Sequence, residues 1–267
     1  MNNTDKENQA SNFILKETSF SGKTAIILGS GLGEYADILS EQNILAFSNI
    51  PYYPISNVEG HAGELVSGKI FGKEILIAKG RVHCYEGYSL REVTFPIRVL
   101  KKCGIENLII TNSSGSIYKK NKPGTLMLIN GHLDCSFQNN YQDLKLVVGD
   151  KYHSKELIKL SEKVASNYKI KVVSGNYCWV LGPCYETPEE IKFFKFHGGD
   201  AVGMSTLPEI EEACAQGLKV LSIALLTNYA AGIDKDILSH KDVIKVASQS
   251  RTKLMNLLSG IIKGVKE

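Results

Sequence analysis

Short apolar runs alternate along this chain with segments whose apolar residues recur at helical spacing. Helical spacing predicts helices over 90–103, 153–168 and 207–216. The runs with the length and composition of buried strands are 24–28, 106–111, 125–130, 169–180, 200–204 and 218–226. Strands that are apolar on both faces are typical of sheets covered by helices on both sides. The pattern therefore predicts a layered α/β fold around a mixed, largely parallel sheet.

Turn-forming and capping residues mark the ends of several of these elements. Gly72-Lys73 separates two strand-like segments, 64–71 and 74–79, and predicts a hairpin. Thr187, followed by Pro188 and two glutamates, has the features of a helix N-terminus. A Ser239/Asp242 capping box predicts the start of a C-terminal helix that ends near Lys263.

Composition and charge narrow the classes of function. The 267 residues are 43% hydrophobic and 22% charged, which predicts one globular domain over 1–267. We expect about residues 1–12 to be a polar, mobile leader. A net charge of +3 with scattered lysines argues against a nucleic-acid partner. The six cysteines form no CxxC pair, and we find neither a signal-peptide core nor an apolar run long enough to span a membrane, so we expect a cytoplasmic, reduced protein without membrane contact.

The richest segment for chemistry is Gly80-Arg-Val-His-Cys-Tyr-Glu-Gly87, which follows an apolar strand. Alternate residues of an extended segment point the same way, so Arg81, His83 and Tyr85 can converge on one small polar ligand. The guanidinium and imidazole offer donors for an oxyanion, and the phenol suits a sugar. A strand end with a surface Arg and a hydrogen-bonded His fits the segment equally well.

The glycine-rich turn 29–33 follows the first strand and contains Ser30. Glycines there allow the backbone to approach an anion. The same turn matches a dinucleotide fingerprint, but the acidic residue expected about 20 positions later is missing, because 47–54 breaks the unit. A plain tight turn is the third interpretation.

Several weaker candidates place small polar or ionisable residues after apolar strands. They are His61, Ser113 in the 111–115 turn, Tyr185 and Glu186, the 200–206 segment with Val202, Met204 and Ser205, Asn228, and His240. Each also has a structural explanation: a solvated loop His, ordinary turn chemistry, or a carboxylate near a helix start. Because ligands gather beyond the carboxyl ends of strands in open α/β sheets, together they indicate one composite pocket. We find no HExxH, P-loop or G-x-S-x-G motif, and no pattern that requires a metal.

The set resembles the trimeric purine nucleoside phosphorylase family, which includes methylthioadenosine phosphorylases. The motifs GSGLG, GHAG, GRVHCYEGY, TFPIRVL, TNSSG, GPCYET, DAVGMSTLPE and LTN occur in the family's order, and the likeness extends from about Thr24 into the C-terminal helix. It implies reversible phosphorolysis of purine nucleosides to free base and ribose 1-phosphate, with inorganic phosphate as co-substrate and no other cofactor. It also implies a homotrimer.

The resemblance implies a role for each matching residue. Phosphate would be bound by Ser30, Arg81, His83, Ser205 and the Ser113 backbone, with His61 at the entrance. Ribose would contact Met204, Tyr85 and His240, and purine would contact Tyr185, Val202, Glu186 and Asn228. The catalytic set would be His83, Glu186 and Asn228. In Gly149-Asp-Lys-Tyr152, Tyr152 would enter the ribose site of a neighbouring subunit.

The substrate is where the alternatives remain open. Asn228 and His240 favour 6-oxopurine nucleosides such as inosine and guanosine, whereas the Ser-rich turn favours methylthioadenosine. A nucleoside-binding protein without turnover and a dinucleotide-dependent oxidoreductase are the remaining readings. The chain departs from the family pattern at Tyr185, Tyr229, Ser113-Ser114 and the shorter 134–148 segment, which puts the base preference in doubt.

Overall fold

The computed structural model describes residues 3–58, 60–138, 144–234 and 240–266, with the backbone alone at 3 and 240–242. The strands are β1 (Thr24–Leu28), β2 (Ser40–Ala46), β3 (Glu64–Ile70), β4 (Lys73–Lys79), β5 (Asn107–Ser116), β6 (Thr125–Asp134), β7 (Val147–Val148), β8 (Val172–Trp179), β9 (Ala201–Gly203) and β10 (Lys219–Tyr229). The helices are α1 (Asn3–Thr18), α2 (Leu90–Val93), α3 (Phe95–Lys102), α4 (Lys155–Asn167), α5 (Pro188–Phe196), α6 (Leu207–Ala215) and α7 (His240–Gly264).

All ten strands belong to one mixed sheet in the order β10-β6-β8-β9-β5-β1-β4-β3-β2, with β7 on β6. The central run β4-β1-β5-β10 is parallel, and β2-β3-β4 is antiparallel. Because β10 also pairs with β5, the strands β5, β10, β6, β8 and β9 close into a ring. The predicted mixed α/β fold is confirmed, and the ring was not predicted.

Two apolar cores lie on opposite faces of the sheet. Alternate residues of β1 supply both, since Ile26 and Leu28 pack in one core and Ala25 and Ile27 in the other. The first core includes residues of α4 and α7, and the second includes residues of α1, α3 and α6. This explains why the central strands are apolar without alternation.

The N-terminal segment is the clearest correction to the sequence-based expectation. Residues 3–18 form α1, so a polar, mobile leader over about 1–12 is wrong for its described part. The apolar stripe of α1 is narrow, but it packs the helix against the rest of the fold, because Ala10 and Ile14 lie one turn apart and are fully buried. Glu7 adds an ion pair with Arg98 on α3, at 2.8 Å.

Three other element boundaries also differ from the predictions. The helix expected over 90–103 is divided into α2 and α3 at Thr94, with Pro96 in the first turn of α3. Strand β5 continues through the polar residues 112–116, because their backbones pair with β10. Strand β2 has mostly exposed side chains and gave no apolar signal.

The helix start predicted at Thr187 is confirmed. The Thr187 hydroxyl accepts from the Glu190 backbone, and the Glu190 carboxylate accepts from the Thr187 backbone. The Ser239/Asp242 capping box lies outside the described side chains. No helix in the described ranges has both the length and the apolar character that crossing a membrane requires.

A buried pair of histidines links β6 to the start of α4. His132 Nδ1 lies 3.0 Å from His153 Nε2, and Tyr152 packs edge-on against His132. Burial lowers the pKa of His132 to about 4, and burial together with the neighbouring imidazole lowers that of His153 to about 3. The folded protein therefore holds both rings neutral over the range in which unfolded histidine becomes protonated.

We expect this pair to make the protein sensitive to acid. With folded pKa values below the unfolded value, the unfolded chain binds more protons, so stability falls as pH decreases from about 6.5 toward 4. Each ring contributes up to about 1.4 kcal/mol per pH unit. Urea unfolding of the wild type and His153→Gln over this range measures the effect, and the variant should have the shallower pH dependence. Equal slopes for the two proteins would contradict this account.

Candidate active site

A cleft of about 690 Å³, including its open mouth, lies at the carboxyl ends of β5, β9 and β10. The predicted residues that line it are Ser30, Arg81, His83, Tyr85, Ser113, Tyr185, Glu186, Val202, Met204, Ser205 and Asn228. The residues that the prediction missed are Ser114, Gly115, Gly203, Thr227 and Val243. Four of these lie at or near strand ends and Val243 lies on α7. No distinctive sequence pattern marks any of these positions.

Of the other three predicted site residues, two do not line this cleft and the third has no described side chain. His61 lies beside it, with Nε2 3.2 Å from the Ser30 hydroxyl. Tyr152 packs on His132 of its own chain and does not line its own cleft. The side chain of His240 lies outside the described residues.

Arg81 is buried and held by two acceptors. Its Nε donates to Glu209 Oε1 at 2.9 Å, and its Nη1 donates to the Thr111 carbonyl at 2.8 Å. Among the described residues, Nη2 is buried without a hydrogen-bond partner. An unpaired buried donor is costly, so Nη2 in a ligand cleft indicates a place for an anionic acceptor.

The imidazole of His83 is also held by a carboxylate, that of Glu86. Its Nδ1 lies 2.8 Å from Glu86 Oε1, and its ring stacks on Tyr85 with centroids 4.6 Å apart. Burial alone would raise the pKa of Glu86, but hydrogen bonds from His83, Ser56 and Asn57 lower it. Glu86 is therefore an anion that fixes the imidazole, and the sequence analysis did not identify it.

Gly80 makes the close packing at this corner possible. Its φ is +118°, and a Cβ there would lie 2.7 Å from His61. Any larger residue would therefore displace the His61 ring and strain the backbone just before Arg81. This brings His61 within 5.3 Å of His83, measured between ring centroids.

Hydroxyl groups complete this polar end of the cleft. The Ser113 hydroxyl donates to the Ser30 carbonyl at 3.3 Å, which joins the ends of β1 and β5. Ser205 is fixed by Tyr177, whose buried hydroxyl donates to the Ser205 carbonyl at 2.9 Å. The Ser205 hydroxyl lies 3.1 Å from that of Thr206, a residue with φ of +75°. Tyr177, which fixes the Ser205 backbone, was not predicted.

The cleft is also lined by a carboxylate and an amide, Glu186 and Asn228. Burial raises the pKa of Glu186. Asn228 Oδ1 accepts from the Thr227 hydroxyl and its Nδ2 donates to the Tyr229 carbonyl, both at 2.9 Å. These two bonds fix the orientation of the amide and leave one N–H and one lone pair for a ligand.

Tyr85 and Met204 line the cleft beside Gly182. Burial raises the pKa of Tyr85 to about 12, so its hydroxyl remains protonated and can donate. Met204 packs against Gly182, where a Cβ would lie 2.5 Å from its sulfur. This part of the cleft therefore combines the apolar surface of Met204 with the hydroxyl of Tyr85.

The charges of the cleft are locally balanced. Arg81 faces Glu209 and His83 faces Glu86, so each nitrogen group has its own carboxylate. Within the described ranges there is no group of three or more His, Cys, Asp or Glu side chains that could hold a metal ion. The arrangement suits an anion at one end and a neutral polar heterocycle at the other.

Comparisons with known proteins agree with this geometry. A model of the phosphorylase superfamily matches residues 23–263. Purine nucleoside phosphorylase 1 of Bacillus subtilis is 40% identical over 265 residues, which cover 97% of this chain and 98% of the relative. The chain belongs to the purine nucleoside phosphorylase family.

Other members of the family are similar over nearly the whole chain. The Mus musculus purine nucleoside phosphorylase is 34% identical, over 92% of this chain and 91% of its own. The crystal structure of Schistosoma mansoni purine nucleoside phosphorylase in complex with inosine has a TM-score of 0.90 and 29% identity, covering 99% and 98% of the two chains. The resemblance inferred from the motifs is therefore confirmed, and the chain is an enzyme of the phosphorylase superfamily.

The raised pKa of Glu186 predicts that this residue destabilises the free enzyme. A folded pKa above the unfolded value means that the folded state binds more protons between the two, so stability falls as pH rises through that window. We expect Glu186→Gln to unfold at the same or a higher temperature than the wild type at pH 7, with a smaller difference near pH 4. Thermal unfolding at both pH values tests this, and a large loss of stability in the variant at pH 7 would refute it.

Proposed function

We propose that this enzyme catalyses reversible phosphorolysis of 6-oxopurine ribonucleosides and 2′-deoxyribonucleosides. The observation that carries the proposal is the unpartnered, buried Arg81 Nη2 in a cleft whose other end holds Glu186 and Asn228. The first end supplies donors for phosphate, and the second has acceptors and a donor that fit a purine with an N1–H and an O6. Relatives named purine nucleoside phosphorylase, and structures of such a protein with inosine and hypoxanthine, support it.

In this proposal, phosphate binds to Arg81, His83 and the hydroxyls of Ser30 and Ser205, with the Ser113 backbone as a further contact. Charge-assisted hydrogen bonds replace the water that the dianion loses. Glu86 orients His83, and His61, bonded to Ser30, covers the entrance. Phosphate is a co-substrate, and the proposal includes no metal or other cofactor.

At the sugar and base, Met204 packs against the ribose and the Tyr85 hydroxyl bonds to it. His240 lies near the 5′-hydroxyl in this proposal. Tyr185 and Val202 contact the purine faces, Glu186 accepts from N1–H, and Asn228 bonds at the N7/O6 edge. The fixed orientation of the Asn228 amide supports its role in recognition.

The reaction breaks the bond between C1′ and N9, and the electron pair of that bond moves to the purine. The sugar becomes cationic, and a phosphate oxygen then bonds to C1′ to give ribose 1-phosphate. The hydrogen bond that the Asn228 amide donates strengthens as negative charge develops on the base, which lowers the barrier, and Glu186 holds the purine in place through N1–H. The proton that HPO4²⁻ loses on becoming the ribose 1-phosphate dianion balances the one that the purine anion takes up as it leaves, and no covalent enzyme intermediate forms.

We further propose a cytoplasmic homotrimer in which Tyr152 reaches the ribose site of a neighbouring subunit. The six cysteines are all unbonded thiols, which supports a reducing compartment. Light scattering of the wild type and Tyr152→Ala, together with the nucleoside KM, tests the assembly. An active monomer, or an unchanged nucleoside KM in the variant, would count against it.

The direct test of function measures purine release from inosine, guanosine, adenosine and methylthioadenosine, each with and without phosphate. We expect phosphate-dependent release of hypoxanthine and guanine. Release from methylthioadenosine alone would retain the reaction and overturn the substrate class. No phosphate-dependent release from any of the four would leave nucleoside binding as the better account.

A further inference from the structure

Glu209 is a buried carboxylate that contacts the proposed phosphate site without lining the cleft. It lies in the first turn of α6 and is 3% exposed, and its Oε1 accepts from Arg81 Nε at 2.9 Å. Its second oxygen, Oε2, is buried and makes no hydrogen bond within the described residues. The Arg81 and Glu209 side chains are each 4% exposed, so water screens this pair little.

The guanidinium of Arg81 is held on two sides, by one carboxylate and by one backbone carbonyl. Glu209 engages Nε, and the Thr111 carbonyl engages Nη1. Thr111 is itself fixed, because its hydroxyl donates to the Ile27 carbonyl and accepts from the Gly29 backbone. Nε and Nη1 already donate to protein acceptors. Within the described part of the chain, Nη2 has no hydrogen-bond partner and is available to a ligand.

A helix-dipole role for Glu209 is the simpler explanation. A carboxylate in the first turn of a helix is modestly stabilising when it is exposed. Glu209 is instead desolvated, and a buried carboxylate with one oxygen unpaired is costly. The dipole alone therefore does not account for a carboxylate at this place.

We propose that Glu209 is a positioning residue for phosphate: it fixes the Arg81 guanidinium with Nη2 in the cleft and offsets its charge. This rests on the proposed function, because it assigns phosphate as the acceptor of Nη2. Orientation lowers the cost of binding phosphate, since Arg81 loses no further rotamer freedom. The offset charge limits how tightly any anion is held, which allows the sugar phosphate product to leave.

Two variants of Glu209 distinguish its effect on the orientation of Arg81 from its effect on the charge of Arg81. Glu209→Gln retains an oxygen that accepts from Nε but removes the charge, so Arg81 stays in place and its charge is no longer offset. We expect the phosphate KM to be unchanged or lower, and inhibition by sulfate to become stronger. Glu209→Ala removes the acceptor, so the phosphate KM should rise about tenfold or more, while the nucleoside KM stays within about twofold.

Glu212 provides a matched control on the same helix. It pairs with Arg98 at 2.8 Å, and neither residue lines the cleft. We expect Glu212→Ala to lower the unfolding temperature without changing the phosphate KM or sulfate inhibition. A purely structural role of Glu209 would give the same result for both alanine variants.

The experiment measures the phosphate and inosine KM, kcat, sulfate inhibition and unfolding temperature for the wild type and all three variants. Phosphate binding to each protein without nucleoside is also measured by calorimetry. A rise in phosphate KM for alanine with retention for glutamine supports the proposal. An equal rise for both, no rise for either, or the same rise in Glu212→Ala overturns it.

Calorimetry separates this inference from the proposed function. If the wild type binds phosphate but cleaves no nucleoside, the proposed function fails, and the difference in phosphate affinity between the glutamine and alanine variants still decides the role of Glu209. If Glu209→Ala does not fold, the glutamine variant decides it through sulfate inhibition and phosphate affinity: weaker binding of either anion overturns the proposal. A wild type that binds no phosphate overturns both.

Discussion

Replacing Arg81 with methionine should reduce kcat/KM for phosphate by about 100-fold or more, the largest effect that we expect from one side chain. A hydrogen bond to a charged group contributes about 1.5–3 kcal/mol, and the guanidinium also supplies a full charge in a desolvated cleft. Phosphate saturation at fixed inosine measures the loss. The inosine KM should change much less, because Arg81 lies at the polar end of the cleft beside His83.

Stability has to be separated from function in this variant. Removing Arg81 leaves Glu209 buried and unpaired, which costs about 3–5 kcal/mol for an ion pair of this kind. The double variant Arg81→Met/Glu209→Gln removes that penalty and should recover stability without recovering phosphate use. Arg81→Lys retains the charge but loses the fork geometry of the guanidinium. Its loss in kcat/KM for phosphate should therefore be smaller than that of Arg81→Met. Normal phosphate kinetics in Arg81→Met would exclude Arg81 from the site.

The second large effect is expected at the other end of the cleft. Asn228→Ala and Glu186→Ala should each lower kcat for inosine by about tenfold or more, because the first removes a donor whose hydrogen bond strengthens as charge develops on the purine and the second removes the contact that orients the base. The phosphate KM should remain within a few-fold of the wild-type value. Steady-state kinetics with inosine and guanosine measure both quantities.

Glu189 gives a control for Glu186 from the same segment. Its carboxylate is 79% exposed and pairs with Lys192, so Glu189→Ala should leave kcat unchanged. Near-normal turnover of inosine by both Asn228→Ala and Glu186→Ala would refute the assignment of this end as the base site. A loss confined to the nucleoside KM would instead indicate binding without a specific effect on the transition state.

The sequence by itself was sufficient for the central sheet and for most of the cleft. Continuous apolar runs such as Thr24–Leu28 can lie only between two layers, and the structure places them there. The motif around Arg81, His83 and Tyr85 predicted a convergent site, and all three residues line the cleft, although Tyr85 lies in a short 3-10 helix, Cys84–Glu86, and not in an extended segment. Ser205 and Asn228 were predicted because each lies near the end of an apolar strand, and Glu186 because it lies between a strand end and a capped helix.

Other features depended on contacts between segments that are far apart in the chain. Residues 3–18 appeared polar because only a narrow stripe, including Ala10 and Ile14, is buried against α3 and neighbouring elements. The polar continuation of β5 past Thr111 is a strand because β10 pairs with it. No local pattern marks closure of a ring by β5, β10, β6, β8 and β9, since it depends on pairing partners.

The partners of the site residues also depended on the tertiary structure. Glu209 lies 128 positions from Arg81, and Tyr177 lies 28 positions from Ser205. In sequence, Glu209 fits an ordinary first-turn carboxylate, and its burial against the guanidinium arises only when the fold brings α6 against the segment that follows β4. The sequence determined which chemical groups the cleft would contain. Long-range packing decided how each is held and which atom remains for a ligand, because desolvation and hydrogen-bond geometry depend on neighbours brought together by folding.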